Sequence, residues 1–471
     1  MKVVKNYLYN AGYQIFLLIV PLITTPYIAR VIGPSGVGIN AYTNSIIQYF
    51  VLFGSIGINM YGNREIAFFR DNPKKMSQIF WEIELLRILA IVLAETAFFI
   101  FLNWTKQYHV YLLMQSLLIT AAAFDISWFF MGLEDFRTTV LRNTIVKVAS
   151  VILIFTFVKT AQDLAVYILI ISGSQLLGNL SLWPFLRRHL VKVSWHGFDL
   201  LQHLRPALVL FIPQIATQIY LVLNKTMLGK ITGVTAAGFF DNSDKIIKMV
   251  LAVVTATGTV MLPRVAHTFA QGDKAQVNRY LYSSFDFVTA ASVPMFLGLA
   301  AIAPKFAVWF FGAKFAATNT LIMLEAPAIL MIAWSNVLGM QYLMPTNRNR
   351  DFTVSVTIGA IVNLILNVPL IMFWGAAGAS VSTVFSEASV TGYQLFVVRH
   401  DIKMRQLFAD LWKYILAGLV MFVVVLWLNI NHPFNIMWLL LEVGSGVIIY
   451  VALVFVLRAK IIKQAKQLLF S

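Results

Sequence analysis

Cysteine is absent from the 471-residue chain, which excludes disulfides, thiolate metal ligands and cysteine nucleophiles. Charge is scarce as well. Asp, Glu, Lys and Arg make up 12% of residues, about half their share in soluble domains, while 59% are hydrophobic. Acids are the rarer sign, 20 against 36 lysines and arginines, for a net charge of +16. Such a surplus suits a nucleic-acid partner, but these basic residues sit in short loops between apolar runs, where membrane orientation requires them; no nucleic-acid partner is expected. No polar stretch is long enough to fold as a separate soluble domain, so function must reside in the apolar segments themselves. Lys2 and Lys5 precede the first apolar run without a small-residue cleavage site, and that run is expected to stay in place. No metal centre, cofactor or catalytic residue is expected.

What is present is a succession of segments long enough to cross about 30 Å of hydrocarbon. About fourteen helical spans are expected, which makes the fold class an all-α polytopic membrane protein. They cover 12–32, 37–60, 80–103, 108–131, 143–159 and 162–186, then, after a basic linker, 206–228, 236–262, 283–303, 318–343, 352–373, 376–398, 411–430 and 435–457. On one side of this map lie Arg64, Arg70, Lys74, Lys75, Arg137, Arg142, Arg187, Arg188, Lys192 and Arg205, and later Arg264, Arg348, Arg399, Lys460, Lys463 and Lys466 among others. The opposite side holds only Arg30, Lys106, Lys159, Lys230, Lys305 and Lys314. The positive-inside rule then places both termini in the cytoplasm.

The chain also matches itself. "ARVIGPSGVGINAYTNSII" (29–47) lines up with "GKITGVTAAGFFDNSDKII" (229–247), pairing Gly33 with Gly233, Gly38 with Gly238, Arg30 with Lys230 and Ile46-Ile47 with Ile246-Ile247. Both copies begin at an odd-numbered span and run in the same sense, as in parallel transporter repeats. Two six-helix lobes around a central cavity are therefore expected, with two further helices at the end. The divisions are 1–190, a linker at 191–205, 206–400, and 401–471 with its basic tail.

Span 8 carries the least expected residues. A charge at mid-span costs about 2.5–3.5 kcal/mol, so such groups face a watery cavity or a partner. At 100° per residue, Asp241, Asp244, Lys245 and Lys248 share one arc of about 100°, running roughly 7 to 18 Å below the outer end of the helix. Two readings stand. The pairs Asp241–Lys245 and Asp244–Lys248 neutralise each other at i,i+4, or the carboxylates hold the lysines ready for an anion in a hydrated cavity. The repeat mates of Asp244 and Lys248 are Asn44 and Gln48, which with Asn40 form a second polar stripe, although each amide alone could simply bond a neighbouring helix. Lys225, near the end of span 7, could join the site. Arg30 and Lys230 suit interface anchoring equally well. Glu95, Asp125, Glu325 and Glu442 read as acids satisfied by neighbouring helices. Glu387, among the serines of "SVSTVFSEAS", is the candidate for coupling to H⁺ or Na⁺.

The segments "NYLYNAGYQIFLLIVPLITTPYIARVIGPSGVGINAY", "DISWFFMGLEDFRTTVLRNTIVKV", "LNKTMLGKITGVTAAGFFDNSDKIIKMV" and "VNLILNVPLIMFWGAAGASVSTVFSEA" resemble bacterial polysaccharide transporters. These are Wzx-type flippases of the multidrug/oligosaccharidyl-lipid/polysaccharide exporter superfamily. The resemblance implies alternating access and an undecaprenyl-diphosphate-linked oligosaccharide as cargo. A cationic lumen of Lys225, Lys245, Lys248, Arg30 and Lys230 would receive the diphosphate, with membrane lipid around the polyprenyl tail and a polysaccharide polymerase downstream. Where lipid II flippases of the superfamily tend to have an acid early in span 2, this chain has Asn40, which weakens that alternative. A multidrug exporter of organic cations would need an acid-dominated lumen. A membrane-embedded glycosyltransferase would need catalytic groups on a large outer loop, and no such loop occurs.

Overall fold

The computed structural model describes residues 2–194 and 197–462, and no strand occurs among them. Lys463, Lys466 and the side chains of Lys2, Lys5 and Arg137 lie outside the described residues. The chain divides into two compact units, Met1–Gly229 and Lys230–Ser471.

The first unit opens with α1 (Lys2–Ser55), which contains the first two expected spans up to Ser55 and is broken at Gly33. There follow α2 (Ile58–Phe69), α3 (Pro73–Trp104), α4 (His109–Gln115), α5 (Leu117–Ala123), α6 (Ser127–Gly132), α7 (Phe136–Phe157), α8 (Leu164–Leu180) and α9 (Leu201–Ile231), whose last residues pass into the second unit. The expected span 108–131 is present as His109–Gly132, long and apolar enough to cross a membrane but interrupted into three helical pieces. Ser116 turns its hydroxyl back to the Leu113 carbonyl at 2.7 Å, and Asp125 accepts from the Ser127 amide at 3.1 Å to restart the helix at α6. Side chains that bond the local backbone compete with the helical ladder in this way.

Within lipid, helices gain little from burying apolar surface against one another, so close packing and polar contacts hold them together. Gly62 of α2 lies so near the buried Trp128 that a Cβ there would come within 2.4 Å of the indole. Trp128 in turn stacks on Phe80 with ring centroids 5.5 Å apart.

The second unit comprises α10 (Val234–Ala270), α11 (Lys274–Phe311), α12 (Ala316–Glu325), α13 (Pro327–Ser335), α14 (Asn349–Trp374), α15 (Ala376–Val398), α16 (Met404–Leu407), α17 (Leu411–Asn431) and α18 (Ile436–Val456). The expected span 318–343 bends by 46° between Glu325 and Pro327 and ends in a π-helical turn, Asn336–Leu343. Proline lacks the amide hydrogen that would continue the ladder and crowds the preceding turn. Helices α14 and α15 are joined by polar groups: the Asn367 amide donates to Asn363 Oδ1 at 2.8 Å, and Asn363 donates to Ser382 Oγ at 3.4 Å.

Eight helices among the described residues are long and apolar enough to cross a membrane, nine if the bent pair counts as one. The remaining expected segments lie in α1, α9, α10 and α15, which carry the polar stripes and the hydroxyl-rich stretch. Apolar length therefore does not by itself establish a count of fourteen.

The matched glycines take the same backbone conformation. Gly33 has φ 77° and ψ 175°; Gly233 has φ 106° and ψ 161°. That region is open essentially to glycine alone. At each glycine the chain turns from an incoming span into the helix that bears a polar stripe.

Candidate transport site

In the second unit, Asp241, Asn242, Ser243 and Asp244 form a buried turn of α10, with exposures of 4%, 0%, 0% and 8%. Both expected ion pairs are present: Lys245 Nζ lies 2.5 Å from Asp241 Oδ2, and Lys248 Nζ lies 2.8 Å from Asp244 Oδ2. Their burial is unequal. The aspartate side chains are 5% and 12% exposed, the lysines 36% and 47%. Each pair is formally neutral, with the ammonium group more exposed than the carboxylate that holds it. The paired carboxylates fix the direction of both ammonium groups.

The buried turn is itself held in place. Ser243 donates to Glu325 Oε2 at 2.7 Å, tying α10 to the end of α12 just before the proline bend. Glu325 is thus bonded by a neighbouring helix, as are Glu95, which accepts from Thr120 at 2.8 Å, and Glu442, whose Oε2 accepts from Asn429 at 3.1 Å while its Oε1 stays unpaired. Glu387 is 9% exposed on α15, the helix whose Ser382 accepts from Asn363 of α14. Lys230 is exposed in the last turn of α9.

In the first unit, Asn40, Asn44 and Gln48 are all half-buried on the second half of α1. Asn40 Oδ1 accepts from the buried Gln115 at 2.9 Å, so this amide bonds a neighbouring helix. Asn44 and Gln48 make no side-chain hydrogen bond with any described residue. The end of α9 runs beside this stripe: Thr226 donates to Ser45 Oγ at 2.8 Å and to Tyr49 at 3.2 Å, and Gly229 packs on Tyr42. Lys225, half-buried, therefore sits on the helix adjoining Asn44 and Gln48, whereas Arg30 is exposed at the end of the first half of α1.

A second charged centre in this unit was not singled out in the sequence. Glu82, Glu84 and Arg87 of α3 are at most 1% exposed. Arg87 donates to Asn59 Oδ1 at 3.0 Å and to the Asp125 carbonyl at 2.5 Å, with the Asp125 carboxylate 3.8 Å away. Glu82 Oε2 lies 2.9 Å from His203 Nε2, and His203 Nδ1 lies 2.8 Å from the Tyr61 hydroxyl. Tyr61 stands on α2, beyond the second expected span, and burial pushes its phenol up to about 12, so it stays protonated. The stretch "WEIELLRIL" carried the signal, three charges inside an apolar run, but their partners come from distant segments.

Apolar helices joined by buried polar contacts, with lysines raised from within one of them, define a multi-pass helical membrane transporter. The profile of the family described as "Polysaccharide biosynthesis protein" matches residues 3–269, and the chain belongs to that family. A relative from Escherichia coli (strain K12), "Putative O-antigen transporter", is 24% identical over 405 residues, spanning 84% of this chain and 97% of that one. Among solved structures, the lipid II flippase MurJ in its inward closed conformation aligns with a TM-score of 0.63 at 15% identity, covering 96% of this chain and 94% of that one. An inward-facing multidrug resistance MATE family transporter of the MOP superfamily aligns at 0.57 and 11% identity, covering 82% and 98%. The fold is shared with both.

Proposed function

We propose that this protein is a flippase that carries undecaprenyl-diphosphate-linked oligosaccharide units from the inner to the outer leaflet of the bacterial cytoplasmic membrane. The units would feed surface polysaccharide assembly, such as capsule, exopolysaccharide or an O-antigen-like polymer. The single observation that carries the reading is the stripe on α10, where buried aspartates hold two exposed lysines inside a membrane helix of a polysaccharide-family fold. The diphosphate binds at Lys245 and Lys248, with Lys225 as a further cation and Arg30 and Lys230 at the outer ends of their helices. Asn44 and Gln48 offer neutral hydrogen bonds to the sugars. The two duplicated halves, 1–190 and 206–400, alternate access, both termini are cytoplasmic, and no bond is made or broken. A polysaccharide polymerase takes the product.

Two routes drive the step. Moving one negative charge outward across 100 mV, inside negative, gains ~2.3 kcal/mol, so a diphosphate with about two charges gains ~4–5 kcal/mol from the potential alone. Alternatively H⁺ or Na⁺ enters at Glu387. The MurJ fold keeps lipid II in view as a cargo, against the neutral Asn40 noted above.

The test is complementation in cells lacking the transporter. Lys245→Ala/Lys248→Ala should abolish surface polysaccharide while the protein still inserts and purifies as wild type does. Normal polymer output from the double variant would remove the anion site. Flipping of lipid II but not of lipid-linked oligosaccharide by the wild type would move the protein to the other cargo.

A further inference from the structure

A cavity of ≈ 900 Å³ opens on the first unit between α3, the end of α8 and the chain that leaves it. Its walls are fixed. Trp183 donates its indole N–H to the Phe124 carbonyl at 3.0 Å, and the Val191 amide donates to the buried Ser77 hydroxyl at 3.0 Å. Trp81 and Trp183 stand 6.4 Å apart at 54° and, with Leu180 and Val191, make the floor apolar. Arg187 and Lys192 stand at the cavity, exposed, and neither forms an ion pair with a described residue; no acid lines the space among the described residues.

Three features name one occupant. The volume falls in the range of ligand sites. Tryptophans prefer the level of the lipid headgroups, where one edge is wet and the other apolar. Two unneutralised cations over an apolar floor complement a molecule with an anionic head and a hydrocarbon body. This is also the arginine- and lysine-rich side of the protein, and basic pockets between membrane helices there recognise anionic headgroups. A soluble anion would leave the tryptophan floor bare, and a zwitterionic lipid would bring its own cation up against Arg187 and Lys192.

We propose that this cavity binds an anionic diacyl phospholipid of the adjoining leaflet, its phosphate at Arg187 and Lys192 and an acyl chain along Trp81 and Trp183. The site is independent of the transported cargo and would act as a lipid staple between α3 and the chain leaving α8.

The experiment is native mass spectrometry of the delipidated full-length protein titrated with phosphatidylglycerol or phosphatidylethanolamine. Wild type should retain phosphatidylglycerol preferentially. Arg187→Gln/Lys192→Gln, which changes only exposed side chains, should lower that retention about tenfold or more, since each juxtamembrane cation is worth roughly a factor of five. Lys106→Gln/Lys314→Gln removes the same charge elsewhere and should leave retention unchanged. Equal retention by the Arg187/Lys192 variant, equal loss in the control, or no headgroup preference in wild type would each overturn the proposal. So would displacement of phosphatidylglycerol by equimolar undecaprenyl diphosphate, which would make the cavity a cargo site.

Discussion

Arg87 is the most heavily committed single residue in the first unit. It is 1% exposed, donates to Asn59 and the Asp125 carbonyl, and is the nearby cation for Asp125 and for Glu84, whose two oxygens find no hydrogen-bond partner. Removing one member of a buried charge set costs more than the set contributes, about 3–5 kcal/mol, because the remaining charge is stranded. Arg87→Leu is therefore expected to lower the thermal midpoint of the purified protein sharply, and Arg87→Lys to recover only part of it, since a single ammonium cannot reproduce the fork. A melting curve of Arg87→Leu that overlays wild type would show that the cluster is dispensable. His203→Phe keeps the ring volume but gives up the bonds to Tyr61 and Glu82; a loss of about 1–3 kcal/mol is expected, read from the same measurement.

At the level of elements, the two glycine turns and the close approach of α2 to Trp128 are the sensitive points. Around Gly33 and Gly233 a Cβ would meet nothing within 4 Å, so alanine there fits sterically and is penalised by conformation alone, at roughly 1–3 kcal/mol each. Gly33→Ala and Gly233→Ala should impair export to similar extents, as measured by surface polymer at matched expression. Unaffected output from both would remove the turn from the mechanism. Gly62→Ala acts by a different route. Its new methyl would press on Trp128, and overpacking of this kind costs about 1–3 kcal/mol. It should show as reduced yield of monodisperse protein, not as a transport defect at normal abundance. These elements were legible in unequal measure. Apolar runs and the repeated glycine marked most helices, whereas the breaks at Ser116 and around Asp125 depend on where side chains find backbone partners, which hydrophobic runs do not encode.

For the molecule as a whole, the proposed transport makes an electrical prediction. Proteoliposomes with no ion gradient should flip lipid-linked oligosaccharide faster when the potential favours outward movement of negative charge, because ~2.3 kcal/mol per charge per 100 mV acts on the diphosphate. Voltage-independent flipping that requires a proton or sodium gradient would favour coupling at Glu387 instead. What the sequence determined by itself was membrane residence, an all-helical class, the family and the i,i+4 charge stripe, since each follows from composition, from a helical period of 3.6 residues or from local identity. Tertiary structure alone decided which end of each Asp–Lys pair is buried, that Asn40 is held by Gln115 while Asn44 and Gln48 are not, and that Glu82, His203 and Tyr61 meet. The physical reason is that burial and partnership are properties of neighbours far apart along the chain, and in an apolar solvent the rare polar groups find one another across that distance.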